Sequence, residues 1–447
     1  MKRVFYTICI FMFTLPGYTK TYADMFNVVY RNKLYYSSYV FLKKSVEINL
    51  KIKRSKSNKV MDIIHPSVFI HDPELDKLPN GRTGLDYAIG IRRFFLNDFE
   101  TAEKKLKMLR KKNPMRFEAS YILGLIHLRR GEYRKASTEF KRCVRLSKVK
   151  KKVSGRGEQY INTFKNRCVQ QVARVSFSQK KYKESLKFLN FVEKDDYIWP
   201  RFIIDKAWNY YWNGENERAL GSVMTYKAPL LRRFMTPEAN YLKGLIYYEM
   251  CYYEKAEKTY KEFNRNTWKY RNVAKTASRN RLLRLILSKR IPTKKVDKFL
   301  YYYLKGFKKD IRFFTYKRSS RMIQREIKKL SKVKSLKQAR VFLDSLYYYQ
   351  KAIRGDFQDF LKNISEDYYH QISEMRSAFV KLNLMVSLQK RQQLSKGNTD
   401  KLEDTITTQE LGDIANVSDK FIWDFRGGFW ADELGDYAVA LRNRCKK

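Results

Sequence analysis

The residues best suited to acid–base or metal chemistry are four histidines and one group of carboxylates, and their spacing argues against both. His65, His71, His127 and His370 never form the HExxH pair that sets two imidazoles on one helical face for zinc. Neither a GxSxG nucleophile turn nor a phosphate-cradling GxxxxGK[ST] loop occurs. Asp432, Glu433 and Asp436 are close enough in sequence to supply an acid and a base, the pair that glycosidic cleavage needs. Adjacent acids on one turn serve equally as helix caps and surface ion pairs. No CxxC pair occurs among the cysteines, which argues against a zinc site or a thioredoxin-type redox site. The expectation is a non-enzymatic chain with no catalytic, cofactor or metal site.

Charge is the next signal. Lys and Arg number 94 against 45 Asp and Glu, a formal charge of +49. Residues 354–447 hold 14 basic against 15 acidic side chains, so the excess lies in residues 1–353, with 80 against 30. Such a field draws polyanions: nucleic acid, anionic lipid headgroups, acidic envelope polymers or an acidic protein. Lysine-decorated solvated helix faces are the plainer account. Lys2 and Arg3 precede an apolar run from Val4 to about Leu15, Pro16 and Gly17 break it, and Thr21-Tyr22-Ala23 offers small residues to a signal peptidase. Residues 1–23 are therefore expected to be a secretory signal, with Asp24 the mature N-terminus and the periplasm or envelope the destination. A retained anchor is the alternative, and export disfavours nucleic acid as a ligand. The run is well short of the ~20 apolar residues that span a bilayer.

Positioning elements emerge from a repeat. Gly90 and Gly124, Phe99 and Tyr133, Ala102 and Ala136, and Leu106 and Phe140 are each 34 residues apart. A small residue, an aromatic, a second small residue and a large apolar residue at fixed offsets suit stacked helical hairpins, because small residues let two helices approach and large ones fill the gap between. The phase continues through Ala173, Tyr182, Ser185 and Leu189, then Ala207, Gly214, Ala219 and Val223, then Gly244, Tyr253, Ala256 and Tyr260. This predicts hairpins near 83–116, 117–150, 166–199, 200–233 and 237–270. Cys143 closes one repeat and Cys168 opens the next, so a disulfide between them is open, with buried free thiols the alternative.

The repeat resembles the tetratricopeptide (TPR) family, which implies an all-α helix-turn-helix solenoid whose first helices line a concave, protein-binding groove. Carried over one residue at a time, the family's ligand positions fall on Tyr87, Phe94 and Phe95, then Tyr121, Leu125 and Arg129. They continue through Arg167, Arg174 and Phe177, then Arg201, Trp208, Tyr211 and Trp212, and end at Tyr241, Leu245 and Tyr248. Aromatics with interspersed arginine dominate binding hot spots. The Lys and Asn of the chaperone-tail clamp are absent, so a C-terminal carboxylate ligand is not implied.

Outside the repeats, residues 24–82 lack a clear fold, and Val46, Ile48, Leu50 and Ile52 alternate as a short strand would. Residues 271–391 read as divergent or capping helices, with Gly355-Asp356-Phe357 mimicking a repeat turn and Ile372, Met375, Phe379 and Leu382 on one helical face. A polar linker is expected over 392–420. The aromatic-acidic segment 421–447 resembles the closing segment of certain TPR proteins of deltaproteobacterial envelope and gliding-motility complexes, through Trp423-Asp424-Phe425, Gly428-Phe429-Trp430 and Asp432 to Tyr437. It suits docking onto the basic body or capturing a partner. The resulting expectation is a periplasmic scaffold for protein partners in an envelope complex, in motility or surface transport. The alternative is a basic polyanion-binding protein whose ligand is an envelope polymer or anionic lipid, or nucleic acid if the signal is not used.

Overall fold

The turns that join the hairpins carry the fold. Position 15 of the repeat is Asn97, Gly131, Lys180, Gly214 and Cys251 in turn, and in all five the backbone is left-handed, with φ between +60° and +81°. Each ends a helix in the same way. The next residue's N–H reaches back to the carbonyl five residues before it (Asp98 to Arg93, Glu132 to His127, Lys181 to Ser176, Glu215 to Tyr210, Tyr252 to Tyr247) at 2.8–2.9 Å. That is the Schellman closure, which satisfies carbonyls the helix end would orphan.

A computed structural model describes residues 21–78, 84–110, 113–150, 157–194, 196, 198–234, 236–276, 301, 310–331, 337–397, 429, 434–441 and 443–445. The described residues are all-helical, with no strand among them. Helices α1 (Tyr22–Arg31), α2 (Tyr35–Glu47), α3 (Arg54–Ile63) and α4 (Pro66–His71) precede the hairpins. The hairpins are α5–α6 (Asp86–Phe95, Phe99–Lys107), α7–α8 (Arg116–Arg129, Tyr133–Lys150), α9–α10 (Glu158–Ser178, Tyr182–Leu189), α11–α12 (Phe202–Trp212, Asn216–Met224) and α13–α14 (Pro237–Glu249, Tyr253–Thr276). Among the described residues, α15 (Ile311–Leu330) and α16 (Lys337–Ser395) follow.

Small residues at repeat positions 8 and 20 do what their size requires. Gly90, Gly124, Ala173, Ala207 and Gly244 are buried, as are Ala102, Ala136, Ser185, Ala219 and Ala256. A Cβ added at Gly90 would stand 2.7 Å from Leu106 of the same hairpin, and one at Gly124 would press on Phe140. Helix packing of this closeness tolerates no added methyl without displacement.

The chain forms two compact bodies, residues 1–172 with 311–359, and residues 173–310 with 360–447. In the first, α2 is buried over most of its length, and a run of rings links Tyr349 to Tyr39, Tyr39 to Phe69 and Phe69 to Tyr87 at 5.4–6.2 Å. Beside them lies a buried ion pair, Lys43 Nζ 2.6 Å from Asp72, which the exposed Glu74 extends at 2.5 Å; Asp72 also accepts from the Tyr39 hydroxyl at 2.9 Å. Cys143 and Cys168 are bonded, tying α8 to α9. In the second body, Phe379 of α16 packs on Tyr241, Tyr260 and Phe263, and a Cβ at Gly244 would meet Phe379 at 2.8 Å.

Three readings change. The alternation from Val46 to Ile52 is no strand: α2 ends at Glu47, Asn49 is left-handed with φ +58°, and Leu50 N–H closes back on Ser45 at 2.7 Å. The alternation straddles a helix end and its turn. Gly355-Asp356-Phe357 is no turn either but mid-helix in α16, where Phe357 packs on Phe313 and Tyr316 and Asp356 pairs with His71 at 2.6 Å. Residues 24–82 are helical where described. Most of the signal segment, the stretches around Leu282 to Ile286 and Phe299 to Phe307, most of the 392–420 linker and Trp423 to Phe425 lie outside the described residues.

Candidate functional site

In the second body, repeat positions 9, 12 and 13 of α11 (Trp208, Tyr211, Trp212) and 5, 9 and 12 of α13 (Tyr241, Leu245, Tyr248) follow the three-and-four spacing that places side chains on one helical face. Three side chains on this side are braced by carboxylates of the following hairpin. Arg174 Nη2 is 3.3 Å from Asp205, Trp208 Nε1 donates to Glu238 at 2.6 Å, and the Tyr211 hydroxyl donates to Glu249. Tyr211 also packs edge-on against Trp208 and Trp212 at 5.6 and 5.4 Å. Trp212 remains 54% exposed at the end of this row.

Burial governs the ionisation of these groups. It pushes the Glu238 carboxyl up, the Asp205 charge adding to the effect and the Trp208 hydrogen bond opposing it. The Tyr211 phenol is raised by burial and then by Glu249. With each acid accepting from an indole, a phenol or a guanidinium, the arrangement fixes rings in place and holds a partly wet aromatic face with a polar fringe. That suits recognition of another macromolecule's apolar side chains.

The remaining residues divide between cover and exposure. Tyr87 does not line an open groove: it is 2% exposed, Phe69 of α4 lies over its ring, and its hydroxyl donates to Glu118. Tyr121 is half-buried between Phe140 and Phe164, at 5.7 and 5.2 Å. Phe94 packs on Phe99, whereas Phe95 is 55% exposed and Arg129 lies over the Phe99 ring at 5.1 Å. Phe177 packs against Tyr182, Arg201 pairs with Asp310 at 3.3 Å, and Tyr248 packs against Tyr253. Tyr241 and Leu245 share a cleft of about 570 Å³ with Leu382 and Met385 of α16. The expected arginine-rich surface is thus tempered: Arg174 and Arg201 already hold carboxylates.

His127 is a packing residue, buried with Nδ1 2.7 Å from Glu132. Of the three C-terminal acids, Asp436 is described. It pairs with Lys194 at 2.6 Å, while Gly435 N–H donates to Thr225 Oγ1 and Val439 N–H to the Glu217 carbonyl. A bond between Cys251 and Cys445 fastens this end, and Arg444 lies over the Tyr252 ring at 4.5 Å. Residues 434–441 and 443–445 therefore strap the fourth and fifth hairpins. Sequence reasoning did not reach Glu249, the seat of Phe379 against Gly244 or the Cys251–Cys445 bond. A glutamate at repeat position 2 in both Glu118 and Glu238 was a readable sign of the bracing acids.

No known family matches the chain, and no curated protein does. Among solved structures it is similar to the apo form of RapI, with 9% identity, a TM-score of 0.36, and coverage of 75% of this chain and 98% of that one. The all-helical hairpin architecture rests on the five turns themselves.

Proposed function

We propose that this chain is a non-enzymatic TPR-type scaffold that holds a protein partner on the face formed by Trp208, Tyr211, Trp212, Tyr241 and Tyr248. The supporting observation is Trp212, a large apolar side chain left exposed beside rings that are hydrogen-bonded into position. Holding such rings rigid before binding reduces the ordering cost that association otherwise carries. Export to the periplasm and assembly into an envelope complex, in motility or surface transport, complete the reading on the strength of the N-terminal apolar run and the C-terminal resemblance. The alternative ligand classes are anionic envelope polymer and lipid headgroups.

Co-purification from envelope extract with Trp212→Ala, and with Trp208→Ala added, tests the face. Loss of the same partner from both variants, with unfolding curves close to the parent's, is expected; capture unchanged by both removes the face from consideration. Sequencing the N-terminus of the protein from that extract tests export. Asp24 as the first residue supports it, and an intact Met1 in the cytosolic fraction overturns it. Thr21 caps α1 and shares a capping box with Asp24, so cleavage there also trims the first turn of that helix.

A further inference from the structure

Away from the aromatic face, the first body contains a cleft of about 780 Å³ between α15 and the ends of α1 to α4. Its rim is basic: Lys33 from the α1–α2 turn stands opposite Arg318, Arg321, Arg325 and Lys329 of α15. Glu326, the carboxylate among the described lining residues, is turned to the start of α2, accepting from Tyr36 N–H at 3.1 Å and Ser37 N–H at 3.0 Å. Its apolar lining includes Tyr35, Ile63 and Met322, each half-buried, and Phe314 is 52% exposed.

The two sides of α15 explain the cleft. Phe313, Ser319, Ile323, Glu326 and Ile327 are buried in the core, so the residues between them must face out. Phe314, Arg318, Arg325 and Lys329 consequently follow one another along the helix over ~22 Å, at 1.5 Å per residue. Cations a helical turn apart on a concave wall match carboxylates a turn apart on another segment. A phosphate polymer would satisfy the rim but leave Ile63, Met322 and Phe314 wet, and a bilayer surface is too flat to enter the cleft. An acidic segment that also carries leucine or phenylalanine uses both parts.

We infer that this cleft is a docking site for an acidic, amphipathic segment of a partner protein, separate from the aromatic face. Arg321 and Arg325 pair with its carboxylates, and its apolar side chains cover Ile63, Met322 and Phe314. Burial pushes the Glu326 carboxyl up to about 7, which lessens the negative charge opposing such a ligand near neutral pH.

The test is fluorescence anisotropy on the full chain with a labelled synthetic peptide that has glutamates every fourth residue and leucines between. An analogue with glutamine for glutamate and long-chain polyphosphate serve as the other probes. Saturable binding of the acidic peptide is expected, at least tenfold weaker for the glutamine analogue and for Arg321→Glu plus Arg325→Glu, and several-fold weaker for Phe314→Ala. These three side chains are exposed, so folding should survive, and far-ultraviolet circular dichroism checks it. Equal binding by the charge-reversed pair overturns the site. Polyphosphate that outcompetes the peptide, with Phe314→Ala without effect, overturns the protein-segment assignment in favour of a phosphate polymer. Trp212→Ala should leave peptide binding unchanged, so failure here and failure of the aromatic face are read separately.

Discussion

The two bodies apply the same repeat to opposite ends. In the first, the Tyr87 hydroxyl donates to Glu118 at position 2 of the next hairpin, and α4 closes over the ring, so the pair becomes core. In the second, Trp208 donates to Glu238, again at position 2 of the next hairpin, but the row of rings continues to an exposed Trp212. The contrast teaches that the repeat supplies the brace, while the segments added before and after it decide whether the braced ring is packed or presented.

The largest test of the closed side is Lys43→Ala, which leaves Asp72 buried without its cation. A loss of ~3–5 kcal/mol in denaturant unfolding is expected. A loss below ~1 kcal/mol would mean that the first body is not sealed there and would erase the contrast.

Glu326 gives the next effect. Its carboxyl is raised from an ordinary 4.5 to about 7 by burial, against the hydrogen bonds from Ser37 and Tyr36. The folded protein therefore holds this proton more tightly than the unfolded chain does. The stabilisation is complete below about pH 4.5 and is lost as pH rises through 7, by about 3 kcal/mol. The difference in stability between the parent and Glu326→Gln, measured by denaturant unfolding from pH 4 to 8, should carry this slope. A pH-independent difference would show the carboxyl to be solvated.

In the second body, Gly221 admits the backbone of the strap, since a Cβ there would collide with the Tyr437 carbonyl. Gly221→Val should lower stability by ~1–3 kcal/mol and make residues 434–441 and 443–445 accessible to protease. An unchanged cleavage pattern would show the strap is held by Cys251–Cys445 alone. Trp212→Ala should change stability least, within ~0.5 kcal/mol, as a presented side chain requires.

What was legible in the sequence follows the same division. The hairpins could be read because their determinants are local and recur: a left-handed residue at position 15, and small residues at 8 and 20 where helices touch. Lys180 and Cys251 adopt the left-handed turn without being glycine, so phase, not residue type, located those two. The closing elements were not legible. Phe379 fills the space at Gly244, Glu326 receives the start of α2, and Cys445 reaches Cys251, all across long stretches of chain that no local pattern relates. Tyr87 was misplaced for this reason: its repeat position is a groove position, and only the fold of residues 66–71 shows that the place is taken. Val46 to Ile52 misled differently, since period-two alternation over a helix end and its turn looks like a strand.

One measurement bears most directly on the difference between packed and presented faces. A photo-activated benzophenone amino acid can be placed at Trp212 and, separately, at Phe95, which holds the same repeat position in the first body and is equally exposed. Cross-links in the producing cells from position 212 to a second protein, and none to that protein from position 95, are the expected outcome. Adducts absent at 212, or formed with the same protein equally from both positions, would contradict the assignment of partner binding to the second body's aromatic face.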